Sequence, residues 1–421
     1  MLGLPALPRK LPSRNWLIFW AVTTTLSAGI IYDRREKRRA TARWAAAVAP
    51  LAREPLPNPL ALPRRITVYL EAPPADGLRV AQDHFAEYVR PVLAASGLDW
   101  EFVVGRREGD VRAVVAERAR RARRAAEGPR QDGAADDSPD DSPEDQIEAV
   151  RRRNQTPKYD GVRGDVVLGR HTWKEYVRGL HEGWLGPLAP PPEVESALAE
   201  AKRANESAPQ EADGPKRPPP QPRPYNAPEQ YTASPLPQPI PAELAPSLPV
   251  RFPHLLGFLS TPTRMRRFFG RRYLADEIGR EVASVCFCTY RDYREGADAY
   301  EQELALAHEE KDWVKSVWKD PPPPKASDDQ SLGGEGETKS PMEQPREKIW
   351  ASAMVLDPRI AGRMRRFELQ PDEEARARRI VVPEEEIEGW IKGSLRGLWR
   401  YGVQSWKGDQ HKVNLGNLDE D

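Results

Sequence analysis

The feature that most constrains this chain is a run of 17 uncharged residues, Trp16 to Tyr32, close to its amino terminus. At about 1.5 Å per residue, a helix over this run would be roughly 25 Å long, the short end of what crosses a bilayer. Trp16 and Trp20 near one end and Tyr32 at the other suit the interfacial aromatic belt of a membrane span. We therefore predict one retained transmembrane helix over residues 16–32, anchored by these three aromatic residues.

Three other interpretations of this run fit the sequence less well. A cleaved secretory signal would end in an A-x-A-like site, whereas a dense cationic block follows Asp33. A buried core helix would not carry Arg and Lys on both flanks. A cleaved mitochondrial presequence needs an amphipathic helix, which Pro5, Pro8 and Pro12 would break.

The charges beside the run give a weak indication of its orientation. Basic residues precede and follow it: Arg9, Lys10 and Arg14, then Arg34, Arg35, Lys37, Arg38, Arg39 and Arg43. A positive-inside count favours the carboxyl side facing the cytoplasm-equivalent compartment. Because both flanks are basic, this count discriminates little between the two orientations.

The composition indicates that much of the chain lies outside any packed core. Its 421 residues, enough for two or three domains, include 44 prolines, and the mean hydropathy is −0.71. The 64 basic and 64 acidic residues cancel, so the protein as a whole has no positive field of the kind that binds nucleic acid. An Arg-rich stretch, RARRARRAAEGPR, runs into the acidic DDSPDDSPED, which favours a solvated loop over a binding tail.

Cys286 and Cys288 are the two cysteines of the chain, spaced as C-x-C in SVCFCTY. On a strand both side chains would fall on the same face, which is too awkward for a routine disulfide. Zinc-site spacing would need a second pair, and the six histidines form no HExxH pattern. We therefore expect buried strand cysteines and no metal site.

Residues 64–186 alternate between strand and helix patterns. The strand candidates are ITVYL (66–70), DWEFVVG and GDVVLG, and the helix candidates are GLRVAQDHFAEYVRPVLAASG, DVRAVVAERARRARRAA and TWKEYVRGLHEGW. Asp110 is the expected N-cap of the second helix. This order predicts an α/β domain with a parallel sheet and right-handed crossovers.

The carboxyl-terminal half predicts a second, mixed and β-rich domain. PTRMRRFFGRRYLADEIGREVA is typical of a broken helix and ALAHEEKDWVKSVWK of a short amphipathic one, whereas ASVCFCTYR, KIWASAMVL and RRIVV are strand candidates. Pro383 should open a last helix, whose apolar stripe we expect to pack on the body, with a membrane-surface or partner contact as the alternative. The stripe comprises Ile387, Trp390, Ile391, Leu395, Leu398 and Trp399.

These patterns divide the chain into successive segments. They are an amino-terminal segment (1–15), the transmembrane helix (16–32), a basic and Pro-rich stem (33–63), the α/β domain (64–186), a Pro-rich disordered insert (187–250), the first part of the second domain (251–320), a second disordered insert (321–346), the second part of that domain with the carboxyl-terminal amphipathic helix (347–408) and a tail (409–421).

The loops at which α/β proteins bind phosphates lack the residues for that chemistry. The first strand leads into LEAPPADGLR, whose prolines remove N–H donors and whose Glu71 and Asp76 repel phosphate. After the third strand, LGRHTWKE offers Arg170 and His171 where a catalytic carboxylate would stand. The sequence also lacks a G-x-S-x-G elbow and a Walker lysine motif. We expect no catalytic, cofactor-binding or metal-binding residues.

Four stretches closely resemble the fungal Tim fifty-four family, a subunit of the carrier translocase (TIM twenty-two complex) of the mitochondrial inner membrane. They are LPSRNWLIFW, YDRREKRR, DHFAEYVRPVLAASGLDWEFVVGRREGDVR and FPHLLGFLSTPTRMRRFFGRRYLADEIGREVA. The resemblance implies a single-pass inner-membrane protein with its large carboxyl-terminal domain in the intermembrane space, a topology that opposes the charge count. There it would help small chaperones deliver multispanning carriers to the channel and would stabilise the channel complex. Its implied partners are the other subunits, the chaperones and inner-membrane lipid.

A fainter resemblance links the body to the diacylglycerol-kinase-like lipid kinases. DHFAEYVRPVLAASGLDWEFVVGRREGDVR has their spacing, and LGRHT takes the place of their G-G-D-G-T loop, with Gly169 and Thr172 kept and Arg170 where the acid should stand. This resemblance implies a degenerate lipid-kinase-like scaffold that has lost nucleotide and magnesium binding. The alternative function is an inner-membrane lipid kinase with atypical loops.

The run TRMRRFFGRR is the best candidate for a docking surface. Its arginines, which surround two phenylalanines, are Arg264, Arg266, Arg267, Arg271 and Arg272. Such a surface would meet acidic chaperones or anionic lipid headgroups. The alternative is a helix that packs Phe268 and Phe269 inward and leaves its arginines in solvent.

Overall fold

The computed structural model describes residues 13–55, 62–127, 147–196, 221–319 and 347–407, with short gaps at 148–149, 152, 158, 160, 193, 297–298 and 388–389. The expectations for the segments 1–12, 197–220, 321–346 and 409–421 lie outside the described residues, as does the acidic loop between 128 and 146.

The first helix, α1 (Arg14–Val48), is twice as long as the predicted span. Among the described residues it is the one helix long and apolar enough to cross a membrane, and its most apolar stretch is uncovered by the rest of the chain. The expected Pro-rich stem is wrong up to residue 48, because α1 continues without a break and packs on the body through Asp33, Trp44 and Val48, which are buried. A 3-10 turn, Ala49–Arg53, then leads away from the helix.

The strands join into one six-stranded sheet in the order β2-β1-β3-β4-β6-β5. They are β1 (Arg65–Glu71), β2 (Asp99–Gly105), β3 (Asp165–Leu168), β4 (Ser247–Val250), β5 (Tyr290–Asp292) and β6 (Arg365–Phe367). All neighbours pair in parallel except β5 and β6. The three strands predicted before residue 186 are therefore confirmed. The separate β-rich domain expected after residue 250 is wrong, since its strands extend the same sheet.

Helices cover both faces of the sheet. They are α2 (Leu78–His84), continued through a π-helical turn (Phe85–Val89) into α3 (Arg90–Ser96), then α4 (Asp110–Glu127), α5 (Arg170–Leu185), α6 (Thr261–Phe268), α7 (Arg271–Phe287), α8 (Glu301–Leu304), α9 (Pro358–Ala361), α10 (Pro371–Arg378), α11 (Glu384–Ile387) and α12 (Trp390–Lys407). Alternation along β1 separates two cores: Ile66, Val68 and Leu70 face α1, α3 and α7, whereas Tyr69 faces α4 and α5.

Residues 118–127 of the Arg-rich stretch, which we interpreted as a solvated loop, lie within α4, and Arg120 and Arg123 are buried. Arg120 and Arg112, both on α4, bond the buried carboxylate of Glu182 on α5. Arg123 donates to the carbonyl oxygens of Gly183 and Gly186, both at 2.8 Å. The arginines therefore fasten α4 to α5.

Four of the later predictions are wrong in secondary structure. Cys286 and Cys288 do not lie on a strand, because α7 runs to Phe287 and Cys288 is its left-handed C-cap, although Cys286 is buried as expected. KIWASAMVL and RRIVV form no strands in the described part of the chain. ALAHEEKDWVKSVWK forms two 3-10 helices, Ala307–Asp312 and Lys315–Trp318, in place of one amphipathic helix.

The Pro-rich insert is ordered in its described residues, which are 187–192, 194–196 and 221–250. Its Tyr231 is buried, with the phenol oxygen accepting a hydrogen bond of 2.7 Å from Arg178 Nη1. The segment ends in β4, which pairs with β3 near the centre of the sheet. The expectation of disorder is therefore wrong for residues 221–250.

The direction of α7 relates the sheet to the first helix. At the carboxyl edge of the sheet, Arg251 Nη1 donates to Glu277 Oε2 at 2.9 Å, near the start of α7. At the opposite, amino edge, Arg64 Nη1 donates to the carbonyl oxygen of Val285 at 2.8 Å, near the end of α7. Helix α7 therefore runs from the carboxyl edge to the amino edge.

Helix α1 runs alongside α7 in the same direction. The Asp33 carboxylate pairs with Arg272 at the start of α7, and Trp44 Nε1 donates to Asp276 Oδ1 one turn further on, at 2.7 Å. The Cα of Gly29 faces the ring of Phe269, just before α7 begins. The residues of α1 before Gly29 therefore extend past the carboxyl edge of the sheet. The apolar half of α1 projects from the edge at which parallel α/β proteins commonly bind ligands.

Candidate functional site

Two regions can be tested as functional sites: the carboxyl edge of the sheet and the junction between α1 and the body. Helices α4 and α5 begin at this edge, directly after β2 and β3. The free N–H groups and the dipole of such a helix start are suited to phosphate. What occupies these helix starts decides whether phosphate chemistry fits.

The start of α4 is occupied by the carboxylate of Glu175, which comes from α5. Glu175 Oε1 accepts hydrogen bonds from Gly109 N at 2.6 Å and from the indole Nε1 of Trp350 at 2.9 Å. Its Oε2 accepts from Arg112 N at 3.1 Å. The expected N-cap, Asp110, instead binds the preceding backbone, so the cap of α4 is supplied from a distant helix.

Glu175 lies beside a second buried carboxyl group, that of Glu71 at the end of β1. Burial and the neighbouring Glu175 raise the pKa of Glu71 well above its usual range. Burial also raises the pKa of Glu175 to about 7. Neither oxygen of Glu71 accepts a hydrogen bond from a described N–H or O–H donor. When Glu71 is protonated, its carboxyl group donates a hydrogen bond to the carboxylate of Glu175, so both buried groups have a partner.

The start of α5 is occupied in the same way, by Glu309. Its Oε2 accepts from Arg170 N at 3.0 Å, and its Oε1 accepts from Phe252 N at 2.7 Å. Burial raises the pKa of Glu309 to about 7. Two separate carboxylates of the protein therefore hold the two helix starts that a bound phosphate would need.

Arg170 and His171, noted in the sequence where a catalytic acid would stand, are both buried structural residues. Arg170 donates from Nε to Glu310 at 2.7 Å and from Nη1 to the carbonyl oxygens of Glu303 and Ala305. His171 packs edge-on against Trp350, with 5.7 Å between ring centroids, and burial lowers its pKa to about 4. It is therefore neutral at physiological pH and serves packing.

This arrangement disfavours nucleotide chemistry at the carboxyl edge. An incoming phosphate would have to displace Glu175 or Glu309, and a remaining carboxylate nearby would repel it. Among the described residues we also find no group of three or more His, Cys, Asp or Glu side chains placed to hold a metal ion. The occupied helix starts thus disfavour the alternative of a lipid kinase.

The predicted membrane-anchor residues lie on the exposed half of α1. The rings of Trp16 and Trp20 stack with 6.3 Å between centroids, one turn apart. Tyr32 lies under the guanidinium of Arg272, 5.3 Å from its ring centroid, where α1 meets the body. Their role as anchors in a bilayer remains a prediction.

The five arginines of the predicted docking surface divide into two groups. Three make ion pairs within the protein: Arg272 with the buried Asp33, Arg271 with Glu87 and Arg267 with Asp312. Arg264 and Arg266 are exposed and form no ion pair with any described residue. Phe269 packs against α1 at Gly29. Arg272 and Phe269 therefore fasten α1, Arg267 and Arg271 pair within the body, and two arginines remain for external contacts.

The sequence analysis missed the exposed tip that precedes α6. Phe258 and Leu259 are 89% and 94% exposed at the end of a loop that Gly257, with a φ of 91°, turns outward. An apolar pair beside an Arg-rich helix was the signal available in the sequence.

The expected packing of the α12 stripe on the body is also wrong for Leu395, Leu398 and Trp399, which are exposed.

A third element reaches α1 close to the same level. Glu384 at the start of α11 accepts hydrogen bonds from Arg35 at 2.5 Å and Arg39 at 2.9 Å, both in the basic block that follows the apolar run. The start of α7 and α11 thus both hold α1 just beyond its apolar half. The anchor is fixed to the body from two sides.

Comparison with known proteins gives the family. The family model "Inner membrane protein import complex subunit Tim54" matches residues 1–217 and 195–367. The mitochondrial import inner membrane translocase subunit tim54 of Neurospora crassa is 53% identical over 100% of this chain and 90% of its own. The subunits of the same name from Aspergillus oryzae (36% identical; 99% of each chain) and Saccharomyces cerevisiae (28% identical; 89% of this chain and 94% of its own) are also similar. The chain therefore belongs to the Tim54 family of mitochondrial inner-membrane import translocase subunits, which are translocase components and are not known as enzymes.

Proposed function

We propose that this protein is a non-catalytic subunit of the carrier translocase, which supports the insertion of multispanning carriers into the mitochondrial inner membrane. In this role it scaffolds the channel complex and the small chaperones that deliver carriers to it. The observation that carries the proposal is the continuous helix α1, whose apolar half projects from the body while its second half is packed into the core. A body held so rigidly at the membrane is suited to positioning partners.

The filled helix starts at the carboxyl edge support the non-catalytic part of the proposal. Glu175 and Glu309 are held by backbone N–H groups and need no ligand to complete them. The edge of the sheet therefore serves stability, and function passes to the surface of the molecule.

We further propose that the protein crosses the inner membrane once, through residues 16–32, and that its carboxyl-terminal domain lies in the intermembrane space. The test is protease protection of an epitope placed after Asp421, in intact mitochondria and in swollen mitoplasts, together with carbonate extraction. We expect protection in intact organelles, digestion in mitoplasts and resistance to carbonate. Protection in both preparations would place the domain in the matrix and contradict the proposal.

The role in insertion is tested in mitochondria from which the endogenous Tim54 has been depleted. We expect this chain to restore insertion of a radiolabelled multispanning carrier, measured as the protease-resistant inserted form. A chain that lacks residues 14–32 should fail to restore it, and import of a matrix-targeted precursor serves as the control. Full insertion without the anchor would contradict the scaffold proposal.

A further inference from the structure

The carboxyl edge of the sheet faces the same direction as the apolar half of α1. Helices α1 and α7 run side by side from this edge, and Phe269 contacts α1 at Gly29, within the uncharged run. Loops that leave the carboxyl edge therefore lie at the end of the body from which the anchor emerges. The loop after β4 is one of them, and it carries the Phe258–Leu259 tip.

The tip is built to present apolar side chains outward. Ser260 Oγ donates to the carbonyl oxygen of Gly257 at 2.7 Å, and Thr261 Oγ1 donates to that of Phe258 at 2.6 Å. These bonds brace the 3-10 turn Phe258–Ser260 that carries the tip, and Phe258 and Leu259 remain almost fully exposed. Large apolar side chains with so little cover mark a surface that meets an apolar environment.

The basic residues beside the tip complete an amphipathic surface. Arg264 and Arg266 on α6 are exposed and make no ion pair within the part of the chain that the structure describes. Met265, between them, is 58% exposed. Apolar tips flanked by unpaired cations are typical of segments that lie in the headgroup region of a bilayer.

We infer that the Phe258–Leu259 tip, together with Arg264 and Arg266, is a second membrane contact, which lies in the headgroup region of a bilayer that contains anionic phospholipid. The inference rests on the proposed membrane span of α1. Continuity with that span favours lipid over a protein partner, because the α6–α7 turn already touches α1 at the level of Gly29. The cationic side chains select anionic headgroups, and the apolar tip reaches below them.

The experiment uses the full chain in proteoliposomes of phosphatidylcholine with or without phosphatidylglycerol. Leu259→Cys is labelled with an environment-sensitive fluorophore in a Cys288→Ser background, in which Cys286 is buried. Val22→Cys in the span is the positive control. The negative control is Val150→Cys, an exposed site near the amino edge, where Leu62 N bonds the Pro157 carbonyl at 3.2 Å.

We expect spin-labelled lipid to quench the fluorophore at Leu259 several-fold more than at Val150, together with a blue-shifted emission. Arg264→Glu and Arg266→Glu together should reduce that quenching in vesicles with phosphatidylglycerol and leave it unchanged at Val22. Quenching at Val22 with none at Leu259 would overturn this inference and leave the anchor intact. A blue shift at Leu259 without lipid quenching would also overturn it, since the tip would then contact protein. Absence of quenching at Val22 would overturn the anchor itself.

Discussion

The carboxyl groups of Glu71 and Glu175 lie together where water does not reach them. Their folded-state pKa values are raised, chiefly by burial, so the folded protein keeps a proton that the unfolded chain would release at neutral pH. The stability that this proton confers is complete below the ordinary pKa of glutamic acid. It is lost as the pH rises through the folded-state values.

Glu71→Gln should stabilise the protein at high pH. The amide donates to Glu175 as the protonated carboxyl does, but it needs no bound proton. We expect a gain in the free energy of unfolding at pH 8, where the unsubstituted protein must hold a proton that the unfolded chain releases, and little change at pH 5. Thermal unfolding of the full chain in detergent at both pH values measures this, with the exposed Glu54→Gln as control. A loss of stability at pH 8 would contradict the shared proton.

Arg272 is the arginine of the basic run whose loss should be felt most in stability. It pairs at 3.3 Å with Asp33, which is buried, and its guanidinium lies over Tyr32. We expect Arg272→Ala to lower the free energy of unfolding, because Asp33 is left buried with one partner fewer. Arg266→Ala, at an exposed site without an ion pair, should change stability by less than about 0.5 kcal/mol.

A double-mutant cycle of Arg272→Ala with Asp33→Ala isolates this interaction. The measured quantity is the free energy of unfolding of the full chain in detergent. A coupling energy near zero would show that the pair does not hold α1 to the body.

At the scale of elements, the close approach of α1 and α7 depends on Gly279. A Cβ at this position would overlap the indole ring of Trp44, which is buried between the two helices. Helices α1 and α7 therefore pack with the indole ring of Trp44 directly against the backbone of Gly279. The same device brings α4 and α5 together, where a Cβ at Gly179 would come within 2.6 Å of the Arg112 carbonyl oxygen.

Gly279→Ala should destabilise the protein although alanine favours helix. The expected cost of overpacking is about 1–3 kcal/mol, against a gain in helix propensity of up to about 1 kcal/mol. Gly393→Ala in α12, where a Cβ has open space around it, is the matched control and should be neutral or stabilising. Chemical unfolding followed by tryptophan fluorescence compares the two variants, and equal stabilities would contradict the packing argument.

The predictable elements were those whose pattern is local. The strands and helices before residue 186 carry apolar periodicity within single segments, so they could be read from the sequence. ASVCFCTYR has the composition of a strand, but its first residues continue the apolar face of α7, and tertiary packing prevails over propensity. Residues 221–250 have no periodicity, and their order comes from contacts such as that of Tyr231 with Arg178.

At the candidate site, the sequence indicated that the loops lack phosphate-binding residues, but not that Glu175 and Glu309 occupy the helix starts. Glu175 and Glu309 are distant in sequence from the backbone N–H groups that they bind, so no sequence motif links them to those loops. Which arginines of the basic run are paired was equally hidden, because Asp33, Glu87 and Asp312 come from three distant segments.

At the scale of the whole molecule, the anchor and the carboxyl edge of the sheet belong to one end. With the proposed span through residues 16–32, the loops after β1, β3 and β4 lie closest to the membrane and the amino edge lies furthest from it. Under the proposed topology, the amino edge of the sheet is then the part left for soluble partners. A topology based on charge alone would not have revealed this division.

The strand order also sets the order in which the chain acquires its structure. Strand β3 ends at Leu168, its neighbour β4 begins at Ser247, and β6 begins at Arg365, so the sheet closes only when nearly the whole sequence is available. Contacts between such distant segments form slowly, because long loops must be closed first. We expect helix α1, whose backbone hydrogen bonds are local, to form before it packs on α7. The membrane end is therefore committed early, and the core that steadies it is completed last.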